Sequence, residues 1–247
     1  DVCSSDLAMK IALNSAYGAM GNAYFRYFDI RMAEGITTSG QLSIRWMANK
    51  LNAMLNKTLK TEGQDYVVAI DTDSIYLTLE NLIEKVAADK DTAGKIKYMD
   101  RICEEVIQPF IDQGYQELAE YMNAYSQKMQ MKREVLADKA IWTAKKRYVI
   151  NVHNSEGVQF AKPKVKVMGL EMVKSSTPAV IRDKLHDSLE VILHGTEKDL
   201  HKYVMDFKRE FDKMPVEDIA FPRSCNGLKQ YAGSPIYVKG KIGRAHV

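Results

Sequence analysis

Tyr-Val-Val-Ala-Ile-Asp-Thr-Asp-Ser-Ile-Tyr-Leu-Thr-Leu, residues Tyr66 to Leu79, decides how the chain folds. Two β-rich segments flank Asp71-Thr72-Asp73-Ser74, a group of turn formers. Tyr66–Ile70 is a continuous apolar run, the pattern of a strand buried on both faces. Ser74–Leu79 alternates, with Ile75, Leu77 and Leu79 on one face and Tyr76 and Thr78 on the other. One reading is a hairpin whose aspartates cap its turn. The other starts from cost: two carboxylates at the mouth of so apolar a hairpin are expensive unless a cation meets them. Mg²⁺ prefers carboxylates, water and phosphate oxygens. An EF-hand is excluded, because the sixth loop position would be Tyr76 rather than Gly and the twelfth Leu82 rather than Glu.

Upstream, Ala8–Gly21 reads as a helix. Lys10, Asn14 and Tyr17 recur at i, i+4 and i+7 and share one face. Ammonium, amide and phenol in a row suit a phosphate, a base edge and a sugar; an ordinary polar helix face has the same pattern. Gly18 and Gly21 allow close approach and mark the helix end. Ala23–Arg31 is aromatic and basic, and is expected to pack over the core rather than to stack on bases. Ala33–Leu59 is a long helix with Ile44, Met47, Leu51, Met54 and Leu55 on its inner face.

Downstream, Glu80–Ala88 begins a short helix. Tyr98–Met122 is helical, with Ile102, Val106, Phe110, Leu118 and Tyr121 inward and a kink or break at Pro109. From Gln127 the pattern turns to strands: Met129–Leu136, Trp142–Val152 and Val158–Val167. Lys162, Lys164 and Lys166 fall at period two, on one strand face, with Val165 and Val167 opposite. Ser175-Ser176-Thr177-Pro178 starts a helix, Thr177 as N-cap and Pro178 at N1, running to about His194 with Val180, Ile181, Leu185, Leu189 and Ile192 inward. Gly195-Thr196 breaks it before a second helix, Glu197–Met214.

The chain has 247 residues, 46% hydrophobic and 27% charged, enough for a large core in one or two domains. No apolar run approaches a membrane span, and no signal peptide is visible. Net charge is +3, but Lys132–Lys174 carries +6 and the remainder −3. A local basic stripe points to a polyanion partner; a solvated sheet edge guarded by lysines has the same composition. The three cysteines are widely spaced and suggest no disulfide or zinc framework. The Asn56-Lys57-Thr58 sequon is taken as chance. The ends, Asp1–Leu7 and Lys241–Val247, resemble translated sequencing adapter: the DNA strings that could encode them are reverse complements. Residues 1–7 and 241–247 are therefore expected to be artefacts, and the rest a fragment.

Lys10-x-x-x-Asn14-Ser15-x-Tyr17-Gly18, then Asp71-Thr72-Asp73-Ser74, then Lys145-Lys146-Arg147-Tyr148, resembles the family B DNA polymerases, nearest the T-even phage-type replicative enzymes. Arg133-Glu134, Gly169-Leu170-Glu171 and Lys174-Ser175-Ser176-Thr177-Pro178 add to the likeness, which spans roughly Lys10 to Met214. The resemblance implies an α+β fold: a palm with an antiparallel sheet and packed helices, truncated fingers helices and a partial helical thumb. Residues 8–60 would be the fingers end and palm helix, 61–175 the palm, and 176–240 the start of the thumb.

It implies that Lys10 holds an incoming dNTP, with Asn14, Tyr17 and Gly18 lining the nucleotide site. Asp73 would bind metal, supported by Asp71, in a centre of two Mg²⁺ ions. Lys145, Lys146, Arg147, Tyr148 and Lys174 would contact primer-template DNA. It further implies nucleotidyl transfer to a primer 3′-hydroxyl, sliding-clamp and replisome partners, and a cytoplasmic location in a host cell if the gene is a phage's. The family's other metal carboxylate lies in a D-x-x-S-L-Y-P motif that this sequence lacks, so the fragment alone is expected to be inactive. The competing readings are a non-catalytic nucleic-acid-binding palm-fold protein and another palm polymerase. Against a reverse transcriptase stands Thr72, which separates the two aspartates.

Overall fold

The computed structural model describes residues 2–221, 235–238 and 241–244. It divides into two compact units: residues 1–138 with 152–163, and residues 139–151 with 164–247.

The first unit is built around helix α2, Ile30–Leu59. Asp29 caps its start by accepting from the Arg31 N–H. The apolar spacing read from sequence becomes the buried face: Ile44, Met47, Leu51 and Leu55 are buried. Helix α1, Val2–Met20, precedes it and begins upstream of the expected Ala8.

The segment between α1 and α2 departs from expectation. Tyr24 and Tyr27 are 98% and 68% exposed, and Phe25 and Phe28 are also open to solvent. The aromatic connector therefore does not pack over this core; Tyr27 instead meets Phe25 edge-on and Arg26 by cation–π contact.

Strands β1 (Val67–Asp71) and β2 (Ser74–Leu77) form the antiparallel hairpin. Its base is fastened to the end of α2 by side-chain amides. Asn52 Oδ1 accepts from the Tyr66 N–H at 2.8 Å. Asn56 accepts from the Gln64 N–H and the Thr61 hydroxyl, and donates to the Gln64 carbonyl. The fully buried Tyr66 closes the set through its hydroxyl to Thr61 at 2.8 Å. Asn56 is thus fully engaged in the fold, which agrees with reading its sequon as chance.

Ile75, Leu77 and Leu79 pack on the core as their alternation requires. β1, however, is not buried on both faces: Val68 and Ile70 are 50% and 40% exposed. The pair is a two-stranded ribbon with one face on the helices, and a bulge between Val67 and Ala69 turns the strand locally. An apolar run does not reveal how many layers cover it.

Helix α3, Glu80–Val86, follows the hairpin, and then a long helical run closes the core. α4 (Thr92–Ile102) passes through a π turn (Cys103–Ile107) into α5 (Gln108–Tyr121). The helix does not break at Pro109: it runs on through this π turn just upstream, in which the Gln108 N–H reaches the Cys103 carbonyl. The extra residue per turn shifts the inward face. Cys103, Ile107, Ile111, Tyr115 and Leu118 are buried, whereas Val106 and Tyr121, expected inward, are 49% and 73% exposed.

Three strands make the second sheet, in the order β3 (Val135–Ala144), β4 (Arg147–Ser155), β5 (Val158–Met168). Tight turns join them, so neighbours run antiparallel. The stretch expected as one strand from Trp142 is two, parted at Lys145-Lys146. Central β4 is the buried strand, from Tyr148 to Val152 and again at Asn154. At the Glu156–Gly157 turn both residues take positive φ, 50° and 86°, as a type I′ hairpin requires.

In the second unit, α6 (Ala179–His194) lays Leu189 and Leu193 on Val149, with Val165, Val167, Leu170 and Met172 around them. Ile192, expected inward, is exposed, and Leu193 takes its place. Pro178, not Thr177, holds the N-cap position, and Thr177 is buried one residue outside the helix. α7 (Glu197–Phe211) starts on a capping box between Thr196 and Asp199. α8 is Val216–Ile219, and strands β6 (Pro235–Val238) and β7 (Lys241–Arg244) pair antiparallel. Cys225 and residues 245–247 lie outside the described residues, as do parts of the expected thumb segment.

Candidate polymerase site

The carboxylate turn is short. Asp71 ends β1 and pairs with Ser74 at the start of β2, leaving only Thr72 and Asp73 between the strands. Thr72 carries φ 56°. A two-residue hairpin turn needs positive φ at its first position, a role usually given to Gly or Asn. A β-branched residue there is an outlier, held against a cost of order 1–3 kcal/mol. Its hydroxyl donates to Asp71 Oδ1 at 3.1 Å, and the Ser74 hydroxyl approaches Asp73 Oδ1 at 3.5 Å. Asp71 is half-buried and Asp73 exposed at the tip. The strained residue thus sits between two carboxylates whose separation it sets.

Two carboxylates offer oxygen donors only. Among the described residues no group of three or more His, Cys, Asp or Glu gathers as a metal cage. A pair of this kind fits Mg²⁺, which keeps several waters and takes one or two carboxylates together with substrate phosphates.

Lys10, Asn14, Tyr17 and Gly18 all lie on α1 and are exposed. The helix keeps the i, i+4, i+7 face intact, so ammonium, amide and phenol project from one side. Among the described residues, none outside its own helix turn stands within 4 Å of where a Gly18 side chain would begin. These residues and the carboxylate turn belong to the first unit.

The basic residues Lys145, Lys146, Arg147 and Lys174 belong to the second unit, with Tyr148. Lys145 and Lys146 form the β3–β4 turn; Lys145, Lys146 and Arg147 are exposed. Tyr148 is only 7% exposed and its ring lies 6.4 Å from that of Trp142. Lys174 is half-buried and pairs with Glu171 at 2.5 Å. Lys146 takes φ 62°, and Gly169, φ 68°, packs its backbone against it. In the sequence Gly169 enters only as part of Gly169-Leu170-Glu171; a glycine closing a basic strand is the available signal for its contact with Lys146.

A further cluster in the first unit also escaped the sequence. Arg133 is largely buried, forms an ion pair with Asp100, and donates from Nη1 to Asn154 Oδ1 at 2.8 Å. Asn154 in turn accepts from the Gly157 N–H at 3.1 Å and so ties the β4–β5 turn to α4. Beside it a cleft of about 920 Å³ is lined by Gln108, Asp112, Lys132, Arg133 and Glu134. It holds none of the residues expected to bind metal or nucleotide.

A family model described as "Divergent Family B DNA polymerase" matches residues 49–206. The DNA-directed DNA polymerase of Enterobacteria phage T4 is 38% identical over 238 residues, 92% of this chain and 26% of that protein. That of Escherichia phage RB69 is 39% identical over the same extent. A DNA polymerase beta of African swine fever virus is 31% identical over 102 residues, 40% of this chain and 8% of its own. The chain thus spans about a quarter of the phage relatives' length.

Proposed function

We propose that this chain, which belongs to the family B DNA polymerases, forms the palm of a template-directed DNA polymerase with the end of the fingers and the start of the thumb. The reaction is nucleotidyl transfer from a dNTP to a primer 3′-hydroxyl. The observation that carries this reading is likeness to two phage polymerases across 92% of the chain, with Asp71-Thr72-Asp73 at the tip of a strained hairpin.

Asp73 at the tip and Asp71 behind it would hold Mg²⁺. The bound ions would supply activation of the 3′-hydroxyl and charge stabilisation on the transferring phosphoryl group. Lys10 neutralises the triphosphate and orients it. Asn14 and Tyr17 reach the nucleotide from the same helix face, and Gly18 leaves room for the nascent base pair. Lys145, Lys146, Arg147 and Lys174 hold the primer-template backbone, and Tyr148 stiffens their strand from below. Such contacts position DNA without reading its sequence. The whole protein would work in the cytoplasm of a phage-infected cell with a sliding clamp; no described helix is long and apolar enough to cross a membrane.

The test is Asp73→Asn in the complete polymerase. Primer extension should fall by at least a thousandfold while primer-template affinity stays within about threefold. Loss of binding instead would give the turn a structural role only. No D-x-x-S-L-Y-P sequence occurs in residues 1–247, so this chain alone should not extend a primer.

A further inference from the structure

The Lys145-Lys146 turn contains a conformation it does not choose freely. Lysine at φ 62° is a left-handed residue, a conformation disfavoured for an L-amino acid. Strained residues persist where surrounding structure over-determines them, and they cluster at functional sites. Here the surrounding structure is Gly169. Its own φ is 68°, and its backbone comes close to the Lys146 peptide. A Cβ on Gly169 would overlap the Lys146 carbonyl oxygen, and would stand 3.1 Å from Arg147 Cγ and 3.3 Å from the Lys146 carbonyl carbon. Backbone cannot step aside as a flexible side chain can. On the other side, the Thr143 hydroxyl donates to the Arg147 carbonyl at 3.3 Å. The turn is gripped from both flanks before any DNA arrives.

We propose that Gly169 is a positioning residue for DNA. Its bare backbone, wedged against the Lys146 carbonyl, holds the Lys145–Arg147 turn in the shape that presents three cations to the phosphate backbone. This rests on the proposed DNA contact at that turn. Pre-ordering matters because a flexible turn would lose side-chain and backbone freedom on binding.

The chain supplies its own control. Gly157 also has positive φ, 86°, in the β4–β5 hairpin, but no described residue stands within 4 Å of its missing Cβ. Alanine there meets the same kind of backbone strain without the clash. In the complete polymerase, Gly169→Ala should weaken primer-template binding about tenfold at low salt. It should also flatten the plot of log K against log salt by about one to two, the loss of one or two phosphate contacts. Gly157→Ala should lower thermal stability less than Gly169→Ala does, through backbone strain alone, and leave the slope unchanged. An unchanged slope in Gly169→Ala, with Lys146→Asn lowering it, overturns the role of Gly169 but keeps the DNA contact. No change in Lys146→Asn overturns both. If Gly169→Ala does not fold, hydrogen exchange on the unaltered polymerase decides. The Arg147 and Tyr148 amides should be protected equally with and without primer-template; protection that appears only with DNA refutes a preset turn.

Discussion

Cys103 sits where α4 gives way to the π turn, 9% exposed, and its thiol is pushed up to about 11. Burial is the chief cause: a thiolate there would lose its water, and the Asp100 and Glu104 carboxylates add to the penalty while Arg133 opposes it. In the unfolded chain the same thiol ionises near 9.0. The folded state therefore keeps the proton that the unfolded state gives up. Cys103's contribution is complete below pH 9 and declines as pH rises towards 11, by about 1.4 kcal/mol per unit. The direct check is thiol labelling at pH 8, with Cys3 and Cys225 changed to Ser. Native Cys103 should react about a hundredfold more slowly than in urea, following its smaller thiolate fraction. Equal rates would mean that the thiol is not buried.

Pro109 belongs to the scale of elements. A proline inside a regular helix leaves one carbonyl without its donor and clashes with it, costing about 3 kcal/mol. Here the π turn moves the hydrogen-bond register one residue ahead of Pro109, which then stands in the first turn of α5, where its missing N–H is tolerated. Pro109→Ala should consequently change stability by less than about 1 kcal/mol in urea unfolding. A gain near 3 kcal/mol would show that the proline strains a continuous helix.

The same π turn marks where sequence reading ended. The helix face of α2 was legible because its 3.6-residue period runs unbroken, and the Asp-Thr-Asp turn because its residues are turn formers between β-formers. The face of α5 was legible only in part: Phe110 and Leu118 pack on the core as expected, whereas Val106 in the π turn and Tyr121 beyond it face outward. Exposure of Val68, Ile70 and the Tyr24–Phe28 aromatics was hidden for another reason. Composition reports what a segment could bury, not whether a second layer is there to cover it. The Thr72 and Lys146 strain and the Gly169 contact depend on backbone angles and distant pairings, which no local pattern encodes.

At the scale of the whole molecule the informative quantity is where the charge lies. A net +3 on 247 residues says little, but Lys132–Lys174 holds +6. On β5, Lys162 and Lys164 are exposed, while the alternate residues Val165 and Val167 pack against the α6 core. Core packing of the valines fixes the strand's register, because a one-residue slip would bury the lysines instead. The lysine face is thus set by the hydrophobic side of the same strand. A polymerase that copies any template must hold DNA by its phosphates, and such contacts release counterions. Changing Lys162 and Lys164 together to Gln in the complete polymerase should lower the salt slope of primer-template binding by about two, one per lysine. The loss should be equal on two unrelated primer-template sequences, measured by fluorescence anisotropy across a salt series. A slope that does not move would reduce these lysines to guards on a sheet edge, and a loss confined to one sequence would make them base readers.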